Sequence, residues 1–172
     1  EPIVYERPLP ENLAEEIYRL RQRMEKEIAR EDEGHLNIKT GRGGMVDVEF
    51  LVQYLQLRHG GKHPSLRVPN TLEALHVLHR EGLLPGEDYD NLTNGYKFLR
   101  RLENKLRLVH DQSVSELSAD PGYLAKLARH LGYPDRPRRP EQVFLDEYNQ
   151  ITQGIRNVFI RHLAPGGDTP TS

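Results

Sequence analysis

An all-α bundle of about six helices, with antiparallel neighbours and no significant sheet, is the architecture this 172-residue chain predicts. Aliphatic residues recur at spacings of three and four in six separate stretches. Glycine or proline closes or opens most of those stretches, and the only alternating run is four residues long. Short connections between long helices favour antiparallel packing.

The order of elements follows from these signals. Residues 1–10 hold three prolines and no helical period, and read as an extended linker. Leu13, Ile17, Leu20, Met24 and Ile28 then mark one face of a first helix, from residue 11 to about residue 33, ended by Gly34. Leu36-Asn37-Ile38-Lys39 alternates briefly, as a strand or an extended stretch does. A glycine loop leads into a second helix near Met45, lined by Val48, Leu51, Val52 and Leu55 and stopped by Gly60-Gly61. Asn70 and Glu73 form a capping-box-like start for a third helix closed by Gly82. A long fourth helix follows Pro85, with Tyr89, Leu92, Tyr96, Leu99, Leu102, Leu106 and Val109 on its stripe. Asp120-Pro121 opens a short fifth helix that ends at Gly132. Residues 134–140 read as a proline loop. Phe144, Tyr148, Ile151, Ile155, Val158 and His162 mark the last helix. The helical domain is expected to span residues 11–163, with a disordered tail over 164–172.

Composition excludes several classes of function. With 24 basic and 26 acidic side chains the net charge is −2, which argues against global attraction to nucleic acid or to a membrane surface. Cysteine is absent, so disulfides, thiolate metal sites and a cysteine nucleophile are ruled out, and a reducing cytoplasm fits. No apolar run approaches the ~20 residues of a membrane span, and no secretory leader is visible. Hydrophobic residues make up 36% and charged residues 29%. Long helices with narrow apolar stripes account for that balance, as does a piece of a larger protein whose core is completed elsewhere.

The stretch richest in chemical potential is Lys39-Thr40-Gly41-Arg42-Gly43-Gly44, which feeds a helix N-terminus. Free backbone amides and the helix dipole at such an end make a phosphate site, and Lys39 and Arg42 add charge. Asp47 and Glu49 are the acidic members of the motif, metal-proximal or structural. The plain alternative is a tight turn, with Asp47 near the third helical position, where a carboxylate stabilises any helix. Asp47 and Glu49 stand about 200° apart on a helix and cannot chelate one ion as neighbours. No Gly-Lys-Ser/Thr follows, so this is not a Walker A loop. A second feature is the stripe of Lys97, Arg100, Arg101, Lys105 and Arg107, opposed only by Glu103. It reads as an acidic-partner site or as a solvated face. His76 and His79 lie at i, i+3 without a third ligand, so no metal site is assigned, and no nucleophile–base set is recognisable.

Residues 38–53, Ile-Lys-Thr-Gly-Arg-Gly-Gly-Met-Val-Asp-Val-Glu-Phe-Leu-Val-Gln, resemble the K-x-G-x-G-G-φ-x-D-φ-E-F motif (φ hydrophobic) of the glutamine synthetase adenylyltransferases. The likeness continues in residues 56–66, 70–72 and 82–84. It returns in Tyr96-Lys97-Phe98-Leu99-Arg100-Arg101-Leu102-Glu103, and in Tyr148, Thr152, Arg156 and Phe159, covering about residues 11–163. The resemblance implies a helical domain following one of two nucleotidyltransferase units, and the wording is more similar to the C-terminal, adenylylating unit. In that family one unit attaches AMP from ATP to a tyrosine of glutamine synthetase, and the other removes it by phosphorolysis. The resemblance implies ATP and Mg2+ in the parent enzyme. It also implies the upstream nucleotidyltransferase domain, glutamine synthetase and the PII signalling protein as partners. The family's catalytic Gly-Ser and Asp-x-Asp signature is missing, since the nearby Asp88-Tyr89-Asp90 sits at the foot of a helix with no strand before it. No catalytic residue is therefore expected here, and this polypeptide alone is expected to be inactive. An alternative is a docking module for glutamine synthetase or PII without nucleotide contact.

Overall fold

The computed structural model describes residues 9–31, 35–110, 116–118 and 120–165. The linker residues 1–8, the Gly34 stop and residues 166–172 of the tail lie outside them.

Among the described residues six helices form, in the predicted order. They are α1 (Leu13–Glu31), α2 (Met45–His59), α3 (Thr71–Arg80), α4 (Gly86–His110), α5 (Pro121–His130) and α6 (Pro140–Leu163). A single 3-10 turn, Pro64–Leu66, links α2 to α3. Two caps behave as their sequences require: Asn70 accepts from the Glu73 amide at 3.0 Å, and Asp120 from the Tyr123 amide at 3.0 Å. Pro140 is the first residue of α6 rather than the end of the loop, because its missing N–H costs nothing at a helix start.

One small sheet joins distant parts of the chain. β1 (His35–Asn37) pairs antiparallel with β2 (Glu116–Ser118), placing Leu36 opposite Leu117. β1 overlaps the alternating stretch only at Leu36 and Asn37 and begins one residue before it. β2 carries no visible signal, because three residues are too few to establish a period.

α6 is the hub of the bundle, packed against α1, α2, α4 and α5. Its fully buried Phe144, Ile155, Val158 and Phe159 meet Leu92, Leu99 and Leu102 of α4, and Val48 and Leu51 of α2, in one hydrophobic core. Gly95 lets α4 approach α6 closely, since a β-carbon there would lie 2.7 Å from Ile155. At the far end of this helix pair Asp88 is buried between Arg161 (2.6 Å) and His162 (3.1 Å). The face of α1 is turned by one residue from the predicted stripe. Leu20 is 42% exposed, whereas Arg21 is completely buried.

Candidate functional site

The glycine loop is shaped by its neighbours in sequence and held by residues remote from it. Asn37, the last residue of β1, starts it. Its side-chain oxygen accepts from the amides of Lys39 (3.1 Å) and Thr40 (2.9 Å), and its carbonyl accepts from Gly41 at 3.0 Å. Gly43 then takes φ +74°, with its α-carbon pressed on the backbone of α6. A β-carbon at Gly43 would lie 2.0 Å from the Thr152 carbonyl oxygen, so only glycine fits.

Asp47 is the centre of the site. It is completely buried on the first turn of α2. Oδ1 accepts from Arg21 Nε at 2.6 Å, and Oδ2 accepts from the Gly43 amide at 2.7 Å and from Arg156 Nη1 at 3.1 Å. Arg21 comes from α1 and also donates through Nη2 to the carbonyls of Thr40 (3.2 Å) and Gly41 (3.3 Å). Arg156 comes from α6, pairs with Glu25 of α1, and lies with its guanidinium 4.9 Å from the Phe159 ring centre. Two carboxylates and two guanidiniums therefore bind three helices and the loop into one nearly dry unit. Buried charges are tolerated in that arrangement because each has an opposite partner.

The first amides of α2 are already occupied. Gly44 donates to the Gly41 carbonyl (2.9 Å), Met45 to Ile38 (3.0 Å), and Val46 to Lys39 (2.9 Å). Gly43 and Gly44 are buried, so the loop turns its backbone donors inward rather than toward a ligand. The side chains of Lys39 and Arg42 stay on the outer side of the loop; Arg42 is exposed, and Lys39 is partly exposed with its ammonium beside Glu103.

Glu49 faces away from Asp47, as the 200° separation requires. It is half-buried beneath Tyr96, whose hydroxyl donates to Oε1 at 3.4 Å. Burial pushes its carboxyl above the ordinary value; the Tyr96 hydrogen bond and Lys39 oppose the shift, and Glu103 adds to it. Lys39 Nζ lies 3.2 Å from Glu103, which is also 3.5 Å from Arg107. Lys39, Glu49, Tyr96, Glu103 and Arg107 thus share one charged face beside the loop.

The basic stripe divides. Lys97, Arg100, Arg101 and Lys105 line a shallow groove between α3 and α4, while Arg107 belongs to the Glu103 cluster. Among the histidines, His79 stacks on Tyr89 (4.6 Å between centres) and its Nδ1 lies 3.2 Å from the Leu84 carbonyl. No group of three or more His, Asp or Glu side chains is placed to hold a metal ion among the described residues. The motif carboxylates do not fit Mg2+ either, because Asp47 is saturated by guanidiniums and Glu49 points elsewhere.

Sequence reasoning missed Arg21 and Arg156 as partners of Asp47, and Glu25 as the second carboxylate facing both guanidiniums. Arg21 could have been found as a charged residue one turn after Ile17, on the inward face. The Arg156 contact spans 109 positions, and no local pattern reports it.

Comparison with known proteins adds the family. The model described as GlnD PII-uridylyltransferase matches residues 18–163. Curated relatives carry the name bifunctional glutamine synthetase adenylyltransferase/adenylyl-removing enzyme. That of Bradyrhizobium sp. (strain ORS 278) is 43% identical over 106 residues, covering 62% of this chain and 11% of the relative. That of Bordetella pertussis is 41% identical over 123 residues, covering 72% and 13%. That of Streptomyces avermitilis is 39% identical over 153 residues, covering 87% and 15%. The chain matches only about a tenth to a seventh of the length of these relatives.

Proposed function

The chain belongs to the GlnD PII-uridylyltransferase family, and from that membership we propose that it is the helical domain accompanying a nucleotidyltransferase domain in a bifunctional glutamine synthetase adenylyltransferase. The family description and the names of the relatives differ in nucleotide and in target, but agree on nucleotidyl transfer. The relatives at 39–45% identity favour the adenylyl version.

The observation that carries the reading is the buried Asp47 lock. It fixes the loop rigidly while leaving Lys39 and Arg42 on its outer side. In the assembled enzyme those two side chains would reach the phosphates of ATP, which the neighbouring domain would hold with Mg2+. Gly41, Gly43 and Gly44 contribute by allowing the tight path, and Asp47 by bracing it. Glu49, half-buried beneath Tyr96, would face the neighbouring domain. Transfer itself would be the work of that domain, since the described residues bring no group of carboxylates together to clamp a metal and activate a hydroxyl.

The test uses the longer enzyme with its nucleotidyltransferase domain. Replacing Lys39 and Arg42 together by Ala should raise the KM for ATP several-fold with an unchanged melting temperature. An unchanged KM removes both from the nucleotide side. The 172-residue polypeptide alone should not incorporate AMP into glutamine synthetase, and clean incorporation would overturn the division of labour.

A second reading is favoured by the cations of the α4 groove, which have no carboxylate partners among the described residues. In this reading the domain docks glutamine synthetase or the PII protein.

A further inference from the structure

We propose that the groove between the start of α3 and the second half of α4 receives an acidic helix of a partner protein, anchored by one aliphatic side chain. The inference deepens the docking reading and rests on it. It is independent of the nucleotide reading, because Lys39 and Arg42 lie outside this groove.

Charge is the first observation. Lys97, Arg100, Arg101 and Lys105 line the groove. Arg101 donates to the Leu131 carbonyl at 3.1 Å, and Arg100 lies 6.0 Å from the Tyr96 ring centre. Among the described residues no carboxylate stands within ion-pair distance of any of the four. Other exposed cations, such as Arg42 and Lys126, also lack such a partner, so what marks this face is the gathering of four of them along one groove.

Spacing is the second. Lys97, Arg101 and Lys105 stand at i, i+4 and i+8, on one side of α4 and about 12 Å from end to end. A partner helix with carboxylates at the same interval meets them one turn at a time.

Apolar surface is the third. Leu72 and Leu108 lie in the same groove, and Leu108 is 80% exposed beside cations rather than packed. A bare polyanion leaves both leucines uncovered. A nucleic acid also gains little from a patch of about 12 Å on a chain of net charge −2. A peptide supplies carboxylates and an aliphatic anchor together.

The probe is a fluorescein-labelled synthetic helix with Glu at successive i, i+4 positions and Leu one turn beyond, read by anisotropy against a scrambled peptide. The chain should bind the ordered peptide, with affinity falling steeply between about 50 and 200 mM salt. Lys97→Glu with Arg101→Glu should weaken binding roughly tenfold or more, and Leu108→Ser about fivefold. The milder pair Arg100→Gln and Lys105→Gln guards against misfolding of the reversed variant and should weaken binding in the same direction. Arg107→Gln should leave affinity unchanged. Amide shifts in nitrogen-15 spectra should map to α3 and the second half of α4. Equal binding of the scrambled peptide, full affinity in both groove variants, shifts elsewhere on the bundle, or tighter binding of a short single-stranded RNA would each overturn the proposal.

Discussion

Replacing Asp47 by Ala strands two guanidiniums that have almost no access to water, with side-chain exposures of 0% for Arg21 and 3% for Arg156. It also removes the acceptor for the Gly43 amide. Breaking a buried ion pair from one side costs about 3–5 kcal/mol. Glu25 still holds Arg156 and lies 3.7 Å from Arg21, so the expected loss falls at the lower end, about 3–4 kcal/mol. For a domain of this size that lowers the melting temperature by roughly 10 °C. Urea unfolding followed by circular dichroism measures it directly, and an unchanged m-value shows that the unfolded reference is the same. Asp47→Asn, which keeps one acceptor oxygen, should fall between wild type and Ala. A cycle with Arg21→Met tests the partnership, since the double variant should lose much less than the sum of the singles. A loss below about 1 kcal/mol in Asp47→Ala, or additivity within ~0.5 kcal/mol, would show that Asp47 is not the keystone described.

Other expectations follow from the same geometry. Gly43→Ala combines a left-handed backbone with a β-carbon 2.0 Å from Thr152 and should cost about 2–5 kcal/mol by urea unfolding; a variant of wild-type stability would refute the close contact. The raised Glu49 carboxyl means the native state holds that proton more tightly than the unfolded chain does. The resulting stabilisation is present below about pH 4 and is lost as pH rises through the native value. Glu49→Gln should therefore match wild type near pH 4 and melt higher at pH 7; a lower melting temperature at pH 7 would contradict this. Asp88→Asn should cost only about 1 kcal/mol, because Arg161 is 45% exposed, but should speed hydrogen exchange in the last turn of α6. Unchanged exchange there would show that the ion pairs do not fasten this end.

Much of the architecture could be read locally. α2 shows its core face through Val48, Leu51, Val52 and Leu55, all buried, and α3 and α5 show their starts through Asn70 and Asp120. Hydrophobic periodicity nevertheless misplaces the face of α1, because it favours Leu20 and passes over Arg21. A buried arginine is legible only once its carboxylate is known, and Asp47 follows it by 26 positions. The glycine loop is visible as a loop from composition alone. Whether its amides face in or out depends on Ile38, Lys39, Gly41 and Asp47 as acceptors, which is a matter of three-dimensional path. The basic stripe is legible as a stripe, but its division into a groove and an Arg107–Glu103 pair depends on what α3 and the Lys39 loop bring alongside.

The distance in sequence between Asp47 and the α6 residues that close around it bears on biosynthesis. Thr152 and Arg156 leave the ribosome only after α3, α4 and α5 have been made. Until then α6 cannot supply the cover that Asp47 and Arg21 have in the folded chain. A chain cut before Thr152 should therefore be far more protease-sensitive than one that extends past Leu163.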